Sequence, residues 1–121
     1  MSSSQNYLAV FLGSSTSARR KAWSELSDEQ RLQRQGEGLA AWTAWVEKHQ
    51  GEIVELGGPL GKTKRVSQAG VADVTNELAA YIVVRAPSHE AAAKVFEGHP
   101  HFTIFPGDGV EVMLVLPVPG K

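Results

Sequence analysis

The sequence predicts an α+β fold of the ferredoxin-like type, with strands and helices in the order βαββαβ. Three observations predict it. Four short apolar runs have the length and composition of strands, two helical patterns lie between them in the required order, and a serine N-cap precedes each helix. The 121 residues are enough for one core. We expect a single domain over residues 1–121, with loose tails at 1–6 and 118–121.

The first half of the chain predicts a strand, a loop and a long helix. The apolar run Tyr7–Leu12 ends in a glycine and two serines, as strands often do. Residues 13–26 show no clear period, so we expect a loop with one exposed turn. Ser27 and Gln30 fit a capping box, and apolar residues then recur at helical spacing, which predicts a helix over 28–49.

Two glycines inside this helix need an explanation. Gly36 and Gly38 each cost about 1 kcal/mol relative to alanine in a helix. Either the helix is kinked there, or a neighbouring group packs too closely to leave room for a side chain.

The second half predicts the remaining strands and a short helix. In chain order these are a strand at 52–56 closed by a glycine–proline turn, a loose hairpin within 62–73, a strand at 78–85, a helix from the Ser88 N-cap through Glu97, a loop at 99–109 and a strand at 110–116.

The predicted strands are apolar on both faces. The last strand, for example, places Met113 and Val115 beside Glu111 on the face opposite its remaining valines and leucines. An antiparallel sheet with one face in water alternates apolar and polar residues instead, and two helices cover only one face. We therefore predict an obligate homodimer in which two copies of the sheet pack face to face.

Composition excludes several classes of function. Twelve basic and thirteen acidic residues leave a formal charge of −1, which argues against a general nucleic-acid binder. The absence of cysteine excludes disulfides, thiolate metal sites and a cysteine nucleophile. We see neither a basic, long apolar leader nor a membrane-spanning run, so we expect no membrane association and a cytoplasmic location. No phosphate loop is present, because Leu56 replaces its first glycine, and no cofactor is predicted.

His99 and His101 flank a proline and form the densest chemical feature of the sequence. Either ring could move a proton near neutral pH. A catalytic metal would need a third protein ligand, and we predict no metal site. The alternative is that both histidines are structural or exposed.

Two more residues are candidates to line a ligand site. Trp45 lies at the edge of the long helix's apolar stripe, where packing is the simpler explanation. Glu111 lies among valines and a methionine, so its carboxylate must be paired, hydrated or raised in pKa, unless it touches water at a rim. Structural or solvated roles account for Trp42, His49, His89 and the run Arg19–Lys21.

The order of several short motifs resembles the YCII-related family from Tyr7 to Pro117. The motifs are an Ala-Trp-x-x-Trp helix (Ala41, Trp42, Trp45), a Gly-x-Pro turn (Gly57, Pro59), a Leu-x-x-Tyr-x-Val strand (Leu78, Tyr81, Val83), a Gly-His-Pro turn (Gly98, His99, Pro100) and a Val-Glu-Val strand closing in Leu-Pro (Leu116, Pro117). The resemblance implies a dimeric α+β barrel with an active-site cleft, in a family that is largely uncharacterised.

The resemblance also implies a comparison of site residues. Founding members of the family pair a histidine on the first helix, before a leucine, with an aspartate before the proline after the second helix. Here Gly38 precedes Leu39 and His99 precedes Pro100. That histidine–aspartate dyad is therefore absent as such, and the lack of a side chain at Gly38 would open room in the cleft.

Three functions remain. The first is a homodimeric barrel that binds a small organic ligand in a cleft between sheet and first helix. The second is a small enzyme that uses His99 or His101 for acid–base chemistry, and the third is a purely structural or regulatory dimer. The residues expected to line the cleft are Trp45, His99, His101 and Glu111, with Gly38 making room.

Overall fold

Four antiparallel strands form the central sheet of the computed structural model, which describes residues 4–120. Its strands are β1 (Gln5–Leu12), β2 (Ile53–Pro59), β5 (Leu78–Ala86) and β6 (Gly109–Leu114), in the order β2-β5-β1-β6. β3 (Thr63–Ser67) and β4 (Gly70–Val74) pair separately as the predicted hairpin. This order confirms the ferredoxin-like fold. Residues 5 and 6 belong to β1 and not to a tail, while residues 1–3 and 121 lie outside the described residues.

The two predicted helices are present. α2 (Asp28–Lys48) begins with the expected capping box, in which the Gln30 backbone N–H donates to the Ser27 hydroxyl at 3.1 Å and the Ser27 N–H donates to the Gln30 side chain at 2.9 Å. α3 (His89–Lys94) starts at the Ser88 N-cap and is shorter than predicted.

Two short helices correct the predicted loops. α1 (Ala18–Ser24) lies where we expected a loop with one turn, and its N-cap is Ser17. α4 (Pro100–Thr103) lies in the segment expected to be a loop after α3. Both are a turn or two long and carry no apolar stripe of their own. Periodicity therefore could not reveal them, and only N-caps mark them.

β2 continues through the glycines that were expected to end it. Gly57 has φ +65°, and a Cβ atom there would lie 2.0 Å from the Tyr81 carbonyl oxygen on β5. Only glycine tolerates both conditions. The pairing of β2 with β5 shifts register twice, so the strand bulges while Pro59 still pairs with Ala80.

The core lies between the sheet and helices α2 and α3. On β1, Tyr7, Ala9 and Phe11 are buried, and alternate residues of β5 join them. Trp45 packs on them from α2, and Phe96 packs from the turn after α3. The opposite face of the sheet remains more open, and its Met113 and Val115 are 39% and 51% exposed.

The two helical glycines behave differently. A Cβ atom on Gly36 would meet nothing within 4 Å, whereas one on Gly38 would lie 2.4 Å from Cε2 of Phe105. The second alternative from the sequence therefore applies to Gly38: an aromatic ring occupies the space of a side chain.

We expect Gly36→Ala to raise the free energy of unfolding by about 1 kcal/mol, because alanine is the better helix former at this open site. Gly38→Ala should lose that gain, since the Phe105 ring must move. In a Phe105→Ala background, Gly38→Ala should stabilise as Gly36→Ala does. Urea denaturation of the wild type and these four variants measures the change, and equal gains from both glycines in the wild-type background would contradict the ring contact.

Candidate functional site

A cleft of about 490 Å³ opens between α2 and the sheet. Its volume lies in the range of small-molecule sites. Most of the wall is apolar and comes from one face of α2, the bulged end of β2, the middle of β1 and β5, and the segment that follows α3. The lining residues are Phe11, Leu39, Trp42, Thr43, Val46, Leu56, Gly57, Gly58, Pro59, Ala80, Tyr81, Ile82, His101 and Phe105.

His101 is the histidine of this cleft, and its hydrogen bonds fix its tautomer. The ring is 8% exposed, and Nε2 lies 2.8 Å from the Leu12 carbonyl oxygen. A carbonyl only accepts, so Nε2 carries the proton. Burial lowers the pKa of His101, partly offset by the Leu12 carbonyl and by Asp108. The neutral ring therefore leaves Nδ1 with a lone pair that makes no hydrogen bond within residues 4–120.

Gly107 holds this ring from one side. A Cβ atom at Gly107 would lie 2.3 Å from Nε2 of His101, and the Gly107 N–H donates to the His101 carbonyl at 2.9 Å. The absence of a side chain lets the loop after α4 close on the imidazole edge.

His99 is wholly buried and lines none of the cavities described here. Its ring lies edge-on to Trp42 and Trp45, with centroid distances of 4.5 and 4.6 Å. Nδ1 accepts the backbone N–H of His101 at 3.0 Å, which makes His99 the N-cap of α4. Nε2 has no hydrogen-bond partner within residues 4–120. Burial lowers the pKa of His99 to about 4, with further lowering by His101 and His49, so the ring is neutral at pH 7.

The other sequence candidates lie in different places. Trp45 is in the core, where its indole N–H donates to the Val95 carbonyl at 3.0 Å. Glu111 is exposed on β6 and pairs across the sheet with Val10, on the face opposite the cleft. Gly38 contributes through Phe105, whose ring forms part of the cleft wall. Of the five candidates, only His101 lines the cleft itself.

Arg19 and Phe105 are the residues that sequence analysis missed. Arg19 was read as solvated, yet its guanidinium donates to the Gly107 carbonyl at 2.9 Å and to the carbonyls of Phe102 and Phe105. It therefore ties α1 to the segment that carries His101. No local pattern signals a contact across more than 80 residues; the cost of glycine at position 38 was the one hint of Phe105.

Residues 4–120 offer neither a metal-binding cluster nor a membrane-spanning helix. No group of three or more histidine, aspartate or glutamate side chains is arranged to hold a metal ion. None of the described helices is both long enough and apolar enough to cross a membrane.

The fold and the cleft define a class of protein: a small α+β domain with a ferredoxin-like sheet and a ligand-sized cleft under its long helix. Among solved structures, the chain is similar to 5-chloro-2-hydroxyhydroquinone dehydrochlorinase (TftG) from Burkholderia phenoliruptrix AC1100, in complex with 2,5-dihydroxybenzoquinone. The two are 18% identical over 88% of this chain and 89% of that chain, with a TM-score of 0.51. At this identity the likeness shows the fold. No known family profile and no curated protein matches the sequence.

The buried His99 ring predicts a pH-dependent stability. Its pKa of about 4 lies below the unfolded value of 6.5, so the unfolded state binds protons more readily between these values. The contribution of His99 to the free energy of unfolding is therefore fully present above pH 6.5, and it is lost as the pH falls toward 4. We expect a loss of about 3 kcal/mol between pH 7 and pH 4 from His99 alone, with His101 adding to it in the same direction.

Urea denaturation at pH 7, 5.5 and 4 measures this loss. His99→Asn should flatten the pH dependence, because asparagine retains an N-cap acceptor without titrating. His89→Asn is the matched control at an exposed histidine and should keep the wild-type dependence. Identical pH dependence in the two variants would contradict the role given to His99.

Proposed function

We propose that this protein binds a small, flat and largely apolar organic molecule in the cleft, with His101 as a hydrogen-bond acceptor for it. The observation that carries the proposal is the combination of an apolar cleft with one neutral imidazole whose Nδ1 is unpaired. Ligand sites typically combine such apolar walls with a few placed polar groups.

The structural neighbour supports the size of the ligand. Its complex with 2,5-dihydroxybenzoquinone shows that this fold accommodates a single six-membered ring in that protein. The same class of ligand suits a 490 Å³ cleft walled by Trp42, Phe11 and Phe105. Membership of the YCII-related family is part of this proposal, as is a cytoplasmic location.

We further propose that the working form is a homodimer with the open sheet faces together. The face opposite the helices carries Leu8, Val10 and Leu12 on β1 beside the exposed Met113 and Val115. Covering this apolar surface with a second copy would remove it from water. Tyr81 and Glu55, joined by a 2.9 Å hydrogen bond, lie on the same sheet and would supply polar groups to that contact.

Acid–base catalysis at His101 is the second candidate function. The tautomer fixed by the Leu12 carbonyl leaves Nδ1 ready to accept a proton. His99 would then be a positioning residue, because it caps α4 and does not reach the cleft. A His101→Ala variant that retains affinity for a compound but loses its conversion, followed by NMR of the compound, would favour the enzyme. A purely structural dimer remains the third function, in which the cleft stays empty.

Binding in the cleft is testable with 4-hydroxybenzamide, an uncharged single-ring probe. We expect the Trp42 indole N–H signal to shift on titration, because Trp42 lines the cleft, and the Trp45 signal to stay, because its N–H is bonded to Val95. Thr43→Phe should weaken affinity at least tenfold by filling the cleft from α2. Ala44→Phe, at the exposed neighbouring position, is the matched control and should bind as wild type.

Two-dimensional amide NMR measures both the affinity and the place of binding. Shifts confined to residues outside the cleft, or equal affinities for Thr43→Phe and Ala44→Phe, would argue against this site. If this probe and a wider set of single-ring compounds leave Trp42 unmoved, the structural dimer becomes the better account.

The dimer is tested by sedimentation equilibrium. We expect a mass twice the 13.0 kDa of the chain at micromolar concentration, and dissociation on Met113→Glu, which places a charge in the apolar contact. Leu32→Glu is the control, since Leu32 is 72% exposed on α2. A wild-type mass of one chain would exclude the proposed dimer.

A further inference from the structure

A second cavity, of about 340 Å³, adjoins the cleft and differs from it in chemistry. His101 and Phe105 line both spaces, so their rings form the wall between them. Beyond that wall the lining is mixed. Ser14 and Ser15 from the loop after β1 and Arg20 from α1 supply polar groups, and Ala79 and Pro106 supply apolar ones. We call this space the Arg20 cavity.

The Arg20 cavity carries uncompensated positive charge. The guanidinium of Arg20 makes no hydrogen bond or ion pair with residues 4–120. The neighbouring Arg19 donates to backbone carbonyls, which leave its charge in place. Asp108 contributes one negative charge nearby, and one of its oxygens accepts the Ser14 N–H at 2.6 Å. Of these three charged side chains only Arg20 lines the cavity, so one guanidinium is available there to pair with an anion.

We propose that the Arg20 cavity binds the carboxylate of a ligand whose ring occupies the cleft, so that the ligand class is a small aromatic carboxylic acid. This inference rests on the function proposed above and adds the charged end of the molecule. A ligand extending past His101 and Phe105 meets apolar walls at one end and a guanidinium with serine hydroxyls at the other.

The chemistry favours a carboxylate over other groups. The planar guanidinium fork matches the two oxygens of a carboxylate, and a hydroxyl group such as that of Ser15 donates to the same oxygens. A dianionic phosphate would bring two negative charges to a cavity whose lining holds one guanidinium, that of Arg20. His101 itself is neutral and offers only a lone pair, so the anion must be held by Arg20.

The test compares 4-hydroxybenzoate with 4-hydroxybenzamide, which share a ring and differ in charge. We expect wild-type protein to bind the acid at least tenfold more tightly, with the Trp42 indole signal moving for both. Arg20→Gln should remove the preference and leave the affinity for the amide unchanged. Lys21→Gln removes the same charge from the adjacent residue, which lines neither the cleft nor the Arg20 cavity, and should keep the preference.

Each other outcome is decisive. Equal affinities for the acid and the amide, or a preference for the acid that survives Arg20→Gln, would overturn the inference. The proposed function would still stand in either case, provided that the amide binds in the cleft. Loss of the preference in Lys21→Gln as well as Arg20→Gln assigns it to overall charge and also overturns it. Displacement of the acid by equimolar inorganic phosphate overturns the choice of a carboxylate. Failure of both probes to move the Trp42 signal counts against the cleft itself, and the inference falls with it.

Discussion

The burial of a neutral imidazole at position 99 is the interaction on which the site depends. The ring packs among Phe11 of β1 and Trp42 and Trp45 of α2, and its Nδ1 caps α4 by accepting the His101 N–H. A charged ring would lose its hydration among these aromatic groups, which is why its pKa falls to about 4. One side chain thereby joins sheet, long helix and the segment that carries His101.

Three contacts hold the segment after α3, which carries His101 and forms part of the cleft wall. His99 holds its beginning, Arg19 binds the carbonyls near its end, and Gly38 lets the Phe105 ring rest directly on α2. Each contact comes from a different element, so the position of His101 does not depend on α4 alone, which is too short to be stable by itself. Binding groups placed on such a supported wall are held in one geometry before a ligand arrives.

Local patterns in the sequence were sufficient for the βαββαβ order, but they were insufficient for the two short helices α1 and α4 and for the site. Ser27 and Gln30 predict the start of α2, because a capping box involves only four consecutive residues. The apolar run Tyr7–Leu12 likewise predicts a strand with two apolar faces. His99 and His101 lie on either side of Pro100, so the sequence does not distinguish them. Which of the two can reach a ligand depends on how each ring is buried against residues that are distant in sequence. The same reason hides Arg19, whose partners lie more than 80 residues away.

The two histidines show how unlike roles arise at neighbouring positions. Among Phe11, Trp42 and Trp45, His99 makes one hydrogen bond, the cap on α4, and its buried Nε2 has no hydrogen-bond partner within residues 4–120. His101 donates its Nε2 proton to the Leu12 carbonyl, and its Nδ1 retains a lone pair on a residue that lines the cleft. A neutral acceptor cannot balance the charge of an anion. A guanidinium can, because it is positively charged and donates hydrogen bonds to the anion. A ligand that satisfies both His101 and Arg20 must therefore present both a hydrogen-bond donor and a negative charge.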